Sequence, residues 1–209
     1  MASLDEALLA ARMRALSAFA PGYFHDLKGP LNTIILRLEL LRAAPVGSPD
    51  DKRRASVGAI EEQVRRLDRM LQSWLDYTAP APPRDARLDL RDLVQDVVAL
   101  VSPLARKQRL DLSMTLPDEP MPIAAPTDAM VTVVLDLVRQ AAHGLDPGAA
   151  LSVTLEREGG NARLTVRGRD LDAAETMLAA RVASAAGGTC ALTSDARGRG
   201  VVLHVPRAA

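Results

Sequence analysis

Aromatic side chains are scarce in this sequence, at 2% of 209 residues, and that scarcity removes the stacking platform on which single-stranded nucleic acids are bound. Net charge is lacking too. Lys and Arg total 26, Asp and Glu total 26, so no long-range field draws the chain to nucleic acid or to an anionic membrane. The single cysteine, Cys190, rules out a framework of intrachain disulfides. No apolar run approaches the roughly 20 residues of a membrane-spanning helix. The longest candidate, residues 31–41, is interrupted by Arg37 and Glu39. The first residues carry Asp5 and Glu6 and no basic-then-apolar export pattern. A soluble, cytoplasmic protein with no nucleic acid and no membrane among its partners is expected, and 209 residues suffice for one large domain or two small ones.

What the sequence has in quantity is helical periodicity. Leu9, Met13, Leu16, Ala20, Tyr23, Leu27, Leu31, Ile34, Leu38 and Leu41 recur at steps of three and four and form one stripe down a long helix, expected from Ser3 or Asp5 to about Ala43. Pro21 and Pro30 fall inside it and are expected to bend or break it locally, because proline brings no N–H to the ladder. His25 lies two positions before Leu27, about 200° around the axis from the stripe. Its imidazole is therefore expected on the solvated face, near Lys28, Gly29 and Asn32. An exposed histidine followed by an acid can act as a nucleophile: the Asp26 carboxylate can hold one ring nitrogen protonated and leave the other electron-rich. Pro30 has no N–H to give the Asp26 carbonyl, which loosens the backbone beside the histidine. A surface histidine on a kinked core helix fits the same pattern, and periodicity alone does not choose between them.

A second stripe, Val57, Ile60, Val64, Leu67, Leu71, Trp74 and Thr78, follows a turn at Ala44-Pro45-Val46-Gly47-Ser48-Pro49 and a capping Asp50 or Asp51. Two helices with matching stripes and a short turn make an antiparallel hairpin. A hairpin is too shallow to bury both stripes, so a second copy and a four-helix bundle are expected, making the protein a homodimer. Arg53, Arg54, Arg65, Arg66 and Arg69, interleaved with Glu61, Glu62 and Asp68, read as a solvated face of the second helix.

The string His25-Asp26-Leu27-Lys28-Gly29-Pro30-Leu31-Asn32, preceded by Phe24, resembles the H-box of bacterial two-component sensor histidine kinases. The resemblance implies that His25 accepts a phosphoryl group, that Asp26 assists, and that Lys28 supplies a counter-charge. It also implies that the hairpin is the dimerisation and histidine phosphotransfer domain, here residues 1–79.

Ala79-Pro80-Ala81-Pro82-Pro83 opens a Pro-rich linker, taken as residues 80–86. Residues 87–209 then read as a second domain. A short extended piece at Leu88-Asp89-Leu90 precedes helices over 93–105, 127–143 (capped by Thr127 or Asp128) and 171–186. Strands alternate over 109–116, 151–156, 162–167, 189–194 and 200–205. Helices on one face of a mixed sheet make a two-layer α/β sandwich, so the chain is α+β as a whole. The order of elements resembles the ATP-binding domain of the same kinases. Ala186-Gly187-Gly188-Thr189 and the closing strand Arg199 to Pro206 resemble that family's Gly-Gly turn and last strand.

The nucleotide apparatus departs from the family's pattern. Where the resemblance implies two Asn on the metal-binding helix, this chain has Asp136 and Gln140, and Gln140 is one methylene longer than Asn. Where an adenine-reading Asp and phosphate-admitting glycines are implied, it has Val166-Arg167-Gly168-Arg169-Asp170. Only residues 171–176 stand in place of a long lid. An acceptor histidine beside a degenerate nucleotide site implies a phosphotransfer protein that relays a phosphoryl group between response-regulator receiver domains through His25 without ATP. No cofactor of its own is expected, the magnesium coming from the partner receiver. The alternatives are a non-catalytic adaptor that binds receivers or a kinase, and an atypical ATP-dependent histidine kinase. A phosphatase role is disfavoured, because the family's water-positioning Thr or Asn four residues after the histidine is Gly29 here. His143 and His204 are expected to be structural.

Overall fold

The computed structural model describes residues 3–44, 50–78, 88–195 and 198–208, apart from the side chains of Ser73, Asp76 and Tyr77. Most of the turn expected at 44–49 and the linker expected at 80–86 lie outside the described residues. Contacts within the chain divide it into two compact units, one of residues 20–80 and one of residues 1–19 with 81–209.

Helix α1 spans Leu4–Ala43 and α2 spans Asp50–Thr78. The start of α1 is fixed by a reciprocal cap: the Ser3 N–H donates to Glu6 Oε2 at 2.8 Å and the Glu6 N–H to Ser3 Oγ at 3.1 Å. The local break expected at the prolines is not there. α1 runs unbroken through Pro21 and Pro30, since each withholds only one bond from a long ladder. Within the protomer the expected stripe is covered only in part. The buried positions of α1 are Ala11, Ala15, Phe19, Gly22, Tyr23, Leu27 and Pro30, which share only Tyr23 and Leu27 with it. Leu9, Met13, Leu31 and Leu38 are exposed, as are Val57, Val64 and Leu71 of the α2 stripe.

The other elements of the chain are β1 (Leu88–Asp89), α3 (Leu90–Gln108), β2 (Asp111–Thr115), β3 (Pro122–Ile123), α4 (Thr127–Ala142), β4 (Ala150–Glu158), β5 (Asn161–Arg167), α5 (Met177–Ala185), β6 (Thr189–Asp195) and β7 (Gly198–Pro206). Five strands form one mixed sheet in the order β2-β4-β5-β7-β6, with β2 and β4 parallel and the other neighbours antiparallel. The parallel pair needs a crossover, and α4 supplies it. A tight turn at Gly159-Gly160 joins β4 to β5, Gly159 taking a φ of +57°. Leu151, Val153, Leu155, Leu164, Val166, Val201 and Leu203 alternate onto one face and are buried there, where α3, α4 and α5 pack.

Two element ends differ from expectation. α4 is preceded by Pro126 and has no side-chain cap, so neither Thr127 nor Asp128 plays that part. α5 begins at Met177, not at Leu171, because Asp172 and Glu175 hold residues 172–176 in a separate turn. The expected stop at Gly187-Gly188 is seen, with Gly187 at φ +74°. A Cβ on Gly188 would stand 2.0 Å from the His204 carbonyl oxygen, so only glycine lets the chain pass β7 so closely.

Candidate functional site

All five aromatic residues of the chain fall within residues 19–24 and 74–77, on α1 and α2 around His25. The α/β domain has none. Tyr23, which is 5% exposed, donates its hydroxyl proton to the Met70 carbonyl of α2. Its ring lies on Trp74, centroids 4.9 Å apart with planes at 30°. Phe24 touches the same indole at 5.4 Å and meets the Tyr23 ring edge-on at 6.4 Å. Burial pushes the Tyr23 phenol above its ordinary value, so the hydroxyl stays a donor at any physiological pH.

Two residues further along, His25 is exposed, as the helical spacing required. Among the described residues it has no hydrogen-bond partner, so both ring nitrogens are open to an incoming group. Lys28, Gly29 and Asn32 share its exposure and Asp26 is half-buried. A Cβ on Gly29 would meet nothing within 4 Å, so no packing demands a glycine there. The imidazole thus stands on a firm helical support with a lysine one turn away, accessible to a partner of protein size.

The other candidate lies in the α/β domain, where Asp136, Gln140 and Arg169 do come together, but with their polar atoms turned on one another. Asp136, 4% exposed, accepts from Arg139 Nε at 3.1 Å and Nη2 at 2.8 Å through Oδ1, and from Gln140 Nε2 at 2.8 Å through Oδ2. Gln140 Nε2 donates also to the Glu175 carbonyl at 3.0 Å. Arg169 donates from Nε to the Gln140 carbonyl at 2.9 Å, from Nη1 to the Asp170 carbonyl at 2.8 Å, and pairs with the Glu175 carboxylate. That hydrogen bond and the Asp172 N–H hold the Glu175 carboxyl below the usual carboxylate range. The loop can lie this close because residue 168 is glycine: a Cβ there would stand 2.3 Å from the Ala141 carbonyl oxygen. Both Asp136 oxygens and the Gln140 amide nitrogen are thus engaged inside the protein.

The remaining titratable groups point to no second site. His204 bonds Glu158 at 2.7 Å and His143 ends α4 through its backbone. Among the described residues no group of His, Cys, Asp or Glu could hold a metal ion. Burial pushes the Cys190 thiol up to about 11, far from a reactive thiolate at neutral pH. No helix of the described residues is long and apolar enough to cross a membrane. Sequence reasoning did not single out Tyr23 or Glu175 for their contacts. The crowding of every aromatic into two short segments was the available signal for the first, and nothing local announced the second.

Residues 15–80 match the His Kinase A (phospho-acceptor) domain. Over 102 residues the chain is 38% identical to the sensor histidine kinase AruS of Pseudomonas aeruginosa, covering 47% of this chain and 10% of that protein. It is 27% identical over 163 residues to the sensor histidine kinase ZraS of Escherichia coli, covering 78% of this chain and 34% of ZraS. The chain therefore spans about a third or less of the length of these two relatives. Among solved structures, the catalytic domain of histidine kinase ThkA is similar at a TM-score of 0.53 and 16% identity, over 58% of this chain and 96% of that one. ThkA in complex with the response regulator TrrA is similar at 0.50 and 15%, over 94% of this chain and 63% of that one.

Proposed function

We propose that this chain carries the core of a two-component sensor histidine kinase, its residues 15–80 matching the phospho-acceptor domain, and that His25 takes the phosphoryl group and exchanges it with response-regulator receiver domains. The observation that carries this is the exposed imidazole standing inside the matched acceptor domain. A ring nitrogen lone pair attacks phosphorus, a P–N bond forms, and the P–O bond to the receiver's aspartate breaks with the carboxylate leaving. The second ring nitrogen keeps its proton. Such a transfer between two high-energy phosphoryl carriers needs alignment and charge neutralisation more than bond-making power. Asp26 is the proposed orienter of the ring and Lys28 the counter-charge, with the magnesium contributed by the receiver. A homodimer and a cytoplasmic location are proposed with it.

Two readings of the phosphoryl donor follow. AruS and ZraS are sensor histidine kinases by name, which favours an ATP-dependent kinase over a relay that dispenses with ATP. The relay is favoured by one specific observation: Asp136 and Gln140 are committed to Arg139 and the Glu175 carbonyl, and Arg169 and Glu175 tie the following loop over α4. A non-catalytic adaptor would use the same hairpin surface without needing His25.

The test is labelling. The protein is incubated with γ-labelled ATP and magnesium, and separately with a phosphorylated receiver. Label on His25 in the second incubation alone establishes the relay, and label in the first establishes the kinase. His25→Gln should remove either label while leaving receiver binding intact. A wild type that binds receivers and takes label from neither source is an adaptor.

A further inference from the structure

We propose that Tyr23 is a positioning residue for transfer at His25: its hydroxyl on the Met70 carbonyl and its ring on Trp74 fix the rotation of α1 two residues before the acceptor. The inference rests on the reading of His25 as the phosphoryl acceptor. Pro30 withholds an N–H from the Asp26 carbonyl, so the turn that carries His25 lacks one bond of its own ladder. Tyr23 compensates from outside the ladder. Both of its contacts land on a single turn of α2, the carbonyl of Met70 and the indole of Trp74, which lies four residues on. A hydrogen bond and a ring stack from one side chain make a two-point attachment that resists both rolling and sliding. His25 follows about 200° around the axis, so any roll at Tyr23 is carried directly to the imidazole.

In-line displacement from a protein-bound phosphoryl group is sensitive to this angle, since misplacing reacting atoms by about 1 Å can cost a hundredfold in rate. A small donor free in solution approaches from any direction and is insensitive to it. Tyr23→Phe in the full chain retains the stack and loses only the hydroxyl. It should slow labelling of His25 from the protein donor, or from ATP if the chain is a kinase, by about tenfold. Labelling of His25 by phosphoramidate and the dissociation constant for the receiver should stay at their wild-type values. Trp74→Leu, which removes the other attachment point, should show the same split between donors. Equal slowing with both donors would mean a general loss of fold and overturn the proposal, as would an unchanged rate from the protein donor. If the wild type takes label from neither receiver nor ATP, the proposed function fails and the attachment is judged by amide hydrogen exchange. Faster exchange over residues 24–29 in Tyr23→Phe then supports it, and unchanged exchange overturns it.

Discussion

Replacing Asp136 by alanine tests whether the polar cluster on α4 is a built feature of the domain or an accident of side chains lying close. The carboxylate is 4% exposed and satisfies Arg139 through two bonds and Gln140 through one. In Asp136→Ala, Gln140 keeps the Glu175 carbonyl as acceptor, but Arg139 is left as a largely buried cation without its counter-ion. Removing one member of a buried ion pair costs about 3–5 kcal/mol. The Arg139 side chain is 19% exposed and can recover some water, so the low end applies, about 3 kcal/mol. In a domain of this size each kcal/mol moves the melting temperature by about 2–4 °C, which gives a fall of about 10 °C in the far-UV circular dichroism melt. Asp136→Asn keeps an acceptor for one neighbour and should fall by less than half as much. Hydrogen exchange at the α4 amides assigns the loss to this helix and not to the hairpin. A shift under 2 °C, or equal shifts for the two variants, would show that the cluster is worth no more than a surface pair and would remove the structural support for the relay.

Glu175→Gln probes the same cluster through pH. A carboxyl held below its unfolded value stabilises the fold above the ordinary glutamate range, about 4.3, and that contribution is lost as pH falls through the lower folded value. The variant should therefore melt below wild type at pH 7, with the gap closing toward pH 3; a gap independent of pH would contradict the ion pair with Arg169. Leu38→Asp tests the dimer: Leu38 is 41% exposed in the protomer, so a charge there costs a monomer little but disrupts a bundle of two hairpins. Sedimentation of the full chain should show dissociation, and a wild type that is already monomeric at micromolar concentration would end the bundle proposal. Gly29→Ala should stabilise the hairpin by about 1 kcal/mol, the helix-interior difference between the two residues, read as a higher urea midpoint in Trp74 fluorescence. A loss would mean that something docks against Gly29 that the protomer does not contain.

Much of the fold was legible in the sequence because its signals are local. Strand alternation placed β4, β5 and β7 to within a few residues, and Gly159-Gly160 and Gly187-Gly188 marked turns that the backbone takes at positive φ. The start of α5 was not legible, because the turn before it depends on Asp172 and Glu175 bonding each other's backbone N–H. Such side-chain-to-backbone bonds compete with helix without altering its apolar period. Exposure of His25 followed from counting around the helix. The attachment at Tyr23 did not, since it needs the register between α1 and α2, and no spacing within one helix encodes the position of Met70.

The stripe on α1 is covered only in part within the protomer, and that bears on assembly. Periodicity reports that a face will be removed from water, and it is silent about what removes it. From Leu31 to Leu41 the helix has two apolar faces, for Leu31, Ile35, Leu36, Leu38 and Leu40 are all exposed in the protomer while Ile34 and Leu41 are half-covered. α2 repeats the pattern with Val57, Val64 and Leu71 exposed between half-covered Ile60 and Leu67. A helix that is apolar on most of its circumference is stable only when surrounded, and scattered surface leucines do not recur at helical spacing on two neighbouring helices. Of the buried positions, Tyr23, Leu27 and Pro30 belong to the unit of residues 20–80 that holds the hairpin. The exposed ones are what a second hairpin would cover, and that partition is the physical basis on which a four-helix bundle of two copies is proposed.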